Sequence, residues 1–337
     1  MDFNREIVAV VVTYNNRFNY LVKTVKSLVQ QEKISKVIIV QNGVQYDLPS
    51  LLNKYSSVSV IQNSDNQGSA GGFWLGFKYV SNVEFKNMNV LVLDDDNILD
   101  SEAINELEKA ESLHDYPAHI WSLFRPNVQS KKQFNKTSER TYDSLTDTIN
   151  GFTIEHLFNK NKGNEPRKYK DVNCLITSPY SGLFFPQELL KSIDLPNKNF
   201  YLYSDDIEFT LRIQRFGHLI LQYQYACAYD QSVAWQTLEE DNSKSRKSFY
   251  ITSEIFRPLY TYRNEVYISY YILKRNKFLL SLNYYLLQLW MLISYMPKNR
   301  TGVKKFMLLR RAMADGKKSI LGKSTWIENI REAQNEH

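Results

Sequence analysis

Residues Val90 to Asn97 read Val-Leu-Val-Leu-Asp-Asp-Asp-Asn, a short apolar strand that runs straight into three consecutive carboxylates. Aspartates repel one another and are poor strand residues, so Asp94, Asp95 and Asp96 at the end of a buried strand call for a compensating cation or a structural reason. A hard divalent ion, Mg²⁺ or Mn²⁺, answers the first need, because magnesium is held by one or two carboxylates plus the oxygens of a bound phosphate. An Asp-rich cap leading into a helix after Ser101 answers the second.

The same arrangement recurs upstream. Ile7 to Val12 is a continuous apolar run that ends in Thr13-Tyr14-Asn15-Asn16, after which Leu21, Val25, Leu28 and Val29 fall at helical spacing. Val37 to Val40 stops at Gln41-Asn42-Gly43, and Val58 to Ile61 stops at Asn63 and the polar residues up to Gly68, before a helix expected from about Gly71 to Val80. This alternation predicts an α/β domain with a mostly parallel sheet and right-handed crossovers. Each polar cluster sits at the C-terminal end of its strand, the edge where an open α/β sheet forms its ligand crevice, so the clusters are expected to converge. Asn66-Gln-Gly-Ser-Ala-Gly-Gly72 is glycine-rich at a helix entrance, where backbone can approach a ligand and free N–H groups can meet an anion. It lacks both the Gly-Lys-Ser/Thr of a Walker loop and the GxGxxG order of a dinucleotide site, and a plain tight turn reads equally well.

Downstream, Ala103, Ile104, Leu107, Ala110 and Leu113 share one face of a scaffold helix. Residues from about Arg125 to Asp171 are polar and aperiodic, a surface insertion or an acceptor-side flap. Order returns at Tyr180 to Phe185, and Phe200 to Phe209 carries a second acidic cluster, Asp205, Asp206 and Glu208, into a helix ending near Gly217. The helix dipole alone favours acidic residues in a first turn. Two carboxylate clusters are also what a site needs to hold a metal and deprotonate a hydroxyl. His218 to Trp235 reads as further strand. Character changes after about Ser245, so the expected division is a catalytic domain over 1–245, with halves at about 1–100 and 101–245, and a helical region over 246–337. Within the latter, Phe278 to Met296 is long and apolar, but its Ser, Asn and Gln with Tyr and Trp suit an interfacial or buried helix better than a spanning one. Lys304, Lys305, Arg310, Arg311, Lys317 and Lys318 would favour an anionic leaflet, or simply form a solvated face.

A chain of 337 residues can bury a full core. Its net charge of +6 fits an anionic ligand or a membrane surface and falls short of the basic patches of a nucleic-acid protein, so no nucleic-acid partner is expected. Two cysteines without metal spacing point to a reducing compartment, and the N-terminal residues lack an export pattern, so a cytoplasmic location is expected, peripheral at the inner face of the cell membrane with surface contact through the C-terminal region.

Taken together, Thr13-Tyr14-Asn15, Asn66 to Gly72, Asp94 to Asp96 and Asp205-Asp206-Ile-Glu208 resemble the inverting GT-A glycosyltransferases of family 2, over about residues 5–270. The Asn-x-Gly-x-x-Gly-Gly-Phe form from Asn66 to Phe73 most resembles the galactofuranosyltransferase branch, with rhamnosyltransferases close by. The resemblance implies a Rossmann-like GT-A sheet with flanking helices plus C-terminal helices. It further implies a UDP- or dTDP-linked sugar donor, first UDP-galactofuranose and second dTDP-rhamnose, with Mg²⁺ or Mn²⁺. The acceptor would be a glycan or lipid-linked oligosaccharide of cell-surface polysaccharide synthesis.

Residue by residue, Thr13, Tyr14, Asn15 and Asn42 would line the nucleotide pocket, and Arg17 and Arg263 would reach the diphosphate. Asn66, Gly68, Gly71 and Gly72 would complete the donor contacts, and Asp95 would support the pair or meet the ribose. Asp94 and Asp96 would hold the metal, while Asp206 would be the catalytic base, oriented with the acceptor by Asp205 and Glu208. Related enzymes often place a metal-binding His about two dozen residues after the base. This chain has Asp230 there, which could serve as an oxygen ligand. A sugar nucleotidyltransferase would instead show a Gly-rich loop with Arg or Lys after the first strand, and a non-catalytic scaffold of the same fold is the reading from another class.

Overall fold

Six apolar residues in a row leave a strand no polar face, so Ile7 to Val12 can only be central in a sheet covered on both sides. In the structure, a computed structural model that describes residues 1–44, 46–129, 134, 142–155, 169, 171–232, 254–295 and 300–335, that strand is buried along its whole length. The described residues divide into two units. One draws on Met1–Arg140, Asn164–Lys198 and Phe209–Ala234, the other on Thr141–Gly163, Asn199–Glu208 and Trp235–His337. Besides the expected change of character near residue 245, the chain therefore crosses between units around residues 141–163 and 199–208.

The first unit begins β1 (Ile7–Thr13), α1 (Phe18–Val29), β2 (Ile34–Asn42), α2 (Leu48–Leu52), β3 (Val58–Asn63), α3 (Gly68–Val80) and β4 (Asn89–Asp94). It continues with β5 (Asn97–Leu99), α4 (Ala103–Leu113), β6 (His119–Phe124), β7 (Val172–Leu175), β8 (Leu183–Pro186) and α5 (Leu189–Ser192). The helix α6 (Asp205–Arg215) carries a boundary between the units, and β9 (Leu219–Asp230) follows it. Strands β3, β2, β1 and β4 lie side by side and parallel, as the alternation of strands and helices predicts. Beyond β4 the sheet becomes mixed: β8 runs antiparallel to β4 and β6, and β9 runs parallel to β6 but antiparallel to β5 and β7. Strands β5 and β6 escape the sequence reading because runs of three and six residues, here without alternation, carry no periodic signal.

Side chains alternate across a strand, so β1 feeds two cores. Ala9 and Val11 pack with Leu21, Val25 and Leu28 of α1 and Ile104 and Leu107 of α4. Val8, Val10 and Val12 pack with Phe73, Phe77 and Val80 of α3. Each such side chain taken from water stabilises by about 1.5–3 kcal/mol before entropy is charged against it. The register sets Val12 opposite Asp94, Thr13 opposite Gln41 and Asn42 opposite Asn63, so the polar strand ends do line up along one edge.

The second unit is helical, with α7 (Phe256–Tyr271), α8 (Lys277–Tyr295), α9 (Arg300–Lys317) and α10 (Thr325–Asn335). Its core is built from Leu259, Val266, Leu280, Leu287, Met291, Leu309, Met313 and Ile327. Helix α9 crosses α7 so closely that a Cβ on Gly316 would lie 2.0 Å from the Arg263 carbonyl oxygen. The polar excursion expected over 125–171 and the strand end expected over 233–235 lie largely outside the described residues.

Candidate active site

Strand β4 ends on Asp94, and the three carboxylates have three different environments. Asp95 is buried; its Oδ2 accepts from Thr13 Oγ1 and its Oδ1 from Arg17 Nε, each at 2.8 Å. Its carbonyl accepts from Thr24 Oγ1 at 2.8 Å, which ties the turn to α1. Burial still pushes the Asp95 carboxyl up to about 6 against the pull of Arg17. Asp96 accepts from Arg17 Nη2 at 2.7 Å and from Ser232 Oγ. Asp94 is the exception. Its backbone N–H donates to Asn97 Oδ1 at 2.9 Å, but among the described residues nothing donates to its carboxylate. Burial lifts that carboxyl to about 7, with Asp96, Asp95 and Asp230 adding to the rise and Arg125 opposing it.

Arg17 lies in the turn after β1, its guanidinium 5.3 Å from the Tyr14 ring and 5.2 Å from the Tyr20 ring. Tyr14 is exposed and Asn15 takes a left-handed φ of 49°, so this turn presents side chains at the strand edge. Asp230 comes to the same edge, because β5 pairs Asn97 with it. Its carboxylate is already engaged: Arg125 Nε donates to Oδ2 at 3.0 Å, Arg125 Nη2 donates to Oδ1, and Asn97 Nδ2 donates to Oδ1 at 3.2 Å. Asp230, expected as an oxygen ligand, is thus held in a nearly buried Arg–Asp pair. Arg125 escaped the sequence reading. Its signal was a cation directly after the mostly apolar stretch Ile120 to Phe124, which only Ser122 interrupts.

No three or more His, Cys, Asp or Glu side chains form a cation cage among the described residues. The donor set nevertheless fits a hard divalent ion that completes its shell with phosphate oxygens, because Asp94 has an unengaged carboxylate and Asp96 stands two residues on.

The glycine segment is organised from within. Asn42 Oδ1 accepts from Gln67 N at 3.0 Å and Asn63 Nδ2 at 3.1 Å, while Asn42 Nδ2 donates to the Gly68 carbonyl at 2.9 Å. Asn66 Oδ1 accepts from Gly68 N at 2.9 Å. Buried and so engaged, Asn42, expected at the nucleotide, braces the 63–68 turn. Gly68 opens α3 at φ 72°, a left-handed value that favours glycine. A Cβ on Gly72 would meet Val12 Cγ1 at 2.5 Å, and one on Gly71 would meet Gln67 Cβ at 2.4 Å, so both glycines serve packing within the first unit.

In the second unit, Asp205 and Glu208 are buried in the first turn of α6 and Asp206 is half-buried between them. The approach to this turn is strained: Tyr201, Tyr203 and Ser204 have φ of 65°, 64° and 62°. Two neighbours on α7 hold it. Asn264 Nδ2 donates to the carbonyls of Phe200, Leu202 and Tyr203 at 3.1, 2.8 and 2.7 Å. Arg263 donates to the carbonyls of Phe200 and Gly322 at 2.9 and 2.7 Å and to Asn264 Oδ1 at 2.9 Å. Burial pulls the Arg263 pKa down to about 10. Arg263, expected at a donor diphosphate, is thus a buried clamp on the turn that precedes the acidic cluster. Nothing in the pattern Tyr-Arg-Asn distinguishes a phosphate arginine from one spent on carbonyls.

Residues 8–179, slightly over half of the chain, match glycosyl transferase family 2. No curated protein matches the sequence. Among solved structures, Staphylococcus aureus TarS 1–349 is similar with a TM-score of 0.50 at 12% identity, over 93% of this chain and 92% of that one. The same protein in complex with UDP-GlcNAc gives 0.50 at 12% over 92% and 81%. The mannosyltransferase PcManGT from Pyrobaculum calidifontis, in complex with GDP-Man and Mn²⁺, gives 0.52 at 10% over 99% and 81%. Against the longer TarS chain the coverage is 54% of that chain. At these identities the similarity is one of fold, a GT-A-like mixed α/β sheet with C-terminal helices.

Proposed function

The chain belongs to glycosyl transferase family 2, and from that premise we propose that it moves a sugar from a nucleoside diphosphate to a hydroxyl of a glycan or lipid-linked oligosaccharide, with inversion at the anomeric carbon. The observation that carries this reading is the unengaged Asp94 carboxylate at the end of a nucleotide-fold strand, beside Asp96 and the two arginines Arg17 and Arg125. Asp94 and Asp96 would hold Mg²⁺ or Mn²⁺, which when bound neutralises charge building on the leaving diphosphate. Thr13 at the end of β1 and Tyr14, Asn15 and Arg17 on the turn after it take the nucleotide and its phosphates. Asp206 removes the acceptor hydroxyl proton as that oxygen attacks from the face opposite the leaving group, and Asp205 and Glu208 fix its orientation. One displacement forms the new glycosidic bond and breaks the bond from the anomeric carbon to the donor's phosphate oxygen, releasing the nucleoside diphosphate, so the anomeric centre inverts.

UDP-galactofuranose is the first donor we propose and dTDP-rhamnose the second, both on the resemblance of the Asn66 to Phe73 segment. A sequence with only two cysteines, Cys174 and Cys227, accords with work on the cytoplasmic side. Calorimetry with a panel of nucleotide sugars and Mn²⁺ tests the donor. Transfer to a hydroxyl acceptor by wild type and by Asp206→Asn tests the base. The variant should bind donor within about threefold of wild type and lose transfer by 10³-fold or more. Undiminished turnover removes Asp206 from this role, and the absence of binding to any nucleotide sugar leaves the fold as a scaffold.

A further inference from the structure

The second unit carries an apolar face that its own core leaves uncovered. Along α8, Leu280, Tyr284, Leu287 and Met291 recur at helical spacing and are buried. Phe278, Leu282, Tyr285, Leu289 and Ile293 recur at the same spacing on the other side, with Phe278 79%, Tyr285 62%, Leu289 51% and Ile293 75% exposed. That stripe is roughly 22 Å long at 1.5 Å per residue, a continuous patch and not a scatter of single side chains. Helix α9 adds Met307, 65% exposed. No helix among the described residues is long and apolar enough to cross a membrane, so this face meets its apolar partner from the side.

The charge around the stripe selects the partner. Residues 266–314 contain nine Lys or Arg and no Asp or Glu, while the remainder of the chain is net acidic. Lys274, Arg275 and Lys277 are exposed beside the start of the stripe, and Lys304 and Arg311 are exposed on α9. A second copy of this chain would set the same exposed cations against themselves, which opposes pairing through this face. We propose that α8 lies in the surface of an anionic bilayer, its stripe among the acyl-chain ends and its flanking cations on lipid headgroups. Half-exposed Trp290 and the exposed Tyr285 are side chains suited to that depth, apolar in the ring and polar at one end. Each cation near such a surface contributes about 1 kcal/mol, so binding should be steeply dependent on salt. The inference stands apart from the transfer reaction and does not depend on it.

The test is sedimentation of the full chain with phosphatidylcholine vesicles containing 30 mol% phosphatidylglycerol, set against phosphatidylcholine alone. Apparent affinity should be at least tenfold higher for the anionic vesicles and fall at least tenfold between about 0.05 and 0.5 M salt. Phe278→Ser with Ile293→Ser should lose at least tenfold with an unchanged thermal midpoint and circular dichroism, because both side chains lie outside the core. Equal binding by the double variant, or no binding to anionic vesicles, overturns the proposal. So does a dimer seen by light scattering that the same substitutions dissolve, since a second copy would then own this face.

Discussion

Asn264 donates its side-chain amide to the Tyr203 carbonyl at 2.7 Å, and Tyr203 is one of three non-glycine residues held at positive φ immediately before Asp205 and Asp206. Left-handed backbone costs of order 1–3 kcal/mol per residue and persists only where the surroundings over-determine it. The Asn264 amide, aligned by Arg263 at its oxygen, is that determinant. Asn264→Asp keeps the shape but replaces the donor with an acceptor facing three carbonyls. Turnover should fall about 10²-fold with the donor KM within about threefold, because the donor residues belong to the turn after β1. Asn264→Gln, which can restore one or two of the donations, should recover part of the loss. A drop in the folded fraction by circular dichroism that matches the loss of turnover would mark a general loss of folding, and an unchanged kcat would free the turn from any role in catalysis.

The carboxylates should separate in metal titrations followed by Mn²⁺ paramagnetic resonance. Asp94→Asn and Asp96→Asn are each expected to weaken Mn²⁺ at least tenfold, and activity should vanish on exhaustive chelation and return with Mn²⁺. Asp230→Asn should change Mn²⁺ affinity less than threefold yet destabilise the protein by about 3–5 kcal/mol, because it strands the nearly buried Arg125 charge. A loss of Mn²⁺ binding in Asp230→Asn equal to that in Asp94→Asn would return Asp230 to the ligands.

Most of the first unit was legible because its central strands β1 and β4 are buried on both faces and read as apolar runs, Ile7 to Val12 being the plainest. The strand-end clusters were legible for a related reason, since only polar residues can terminate such runs. Arg125 and Asn264 were not legible. The first acts through Asp230, 105 residues away, and the second through carbonyls 61 to 64 residues away, separations over which no local pattern exists. The glycine at 72 is ambiguous in sequence for another reason: a small residue for ligand approach and a small residue for helix–sheet contact look the same, and only the structure shows that a Cβ there would meet Val12 at 2.5 Å.

That contact makes a stability prediction. A Cβ at Gly76 would meet Val10 Cγ1 at 2.7 Å and Val40 Cγ2 at 3.2 Å, both rotamer-limited side chains in a filled core. Gly76→Ala should therefore cost about 1–3 kcal/mol in urea unfolding despite the better helix propensity of alanine. Gly316→Ala meets backbone, the Arg263 carbonyl oxygen at 2.0 Å, and should cost more than 3 kcal/mol or abolish accumulation of folded protein. A stabilised Gly316→Ala variant would show that α7 and α9 do not pack as closely as described.

Glu111 Oε2 accepts from His119 Nε2 and Trp121 Nε1, each at 2.9 Å, and its Oε1 accepts from the Met1 amine. Burial alone would raise this carboxyl, but those donors outweigh it and hold the group at about 2 against an ordinary 4.5. A folded pKa below the unfolded one means that the folded state binds fewer protons. The stabilisation is therefore complete above about pH 4.5 and is lost as pH falls toward 2. Its size is on the order of 2–3 kcal/mol, less whatever solvent screens at a side chain that is partly exposed. Urea midpoints of wild type should fall across that window, and Glu111→Gln should be less stable at pH 7 with a flatter profile between pH 4.5 and 2. Parallel profiles for the two proteins would show that other carboxylates, and not the Glu111 network, set the acid limit.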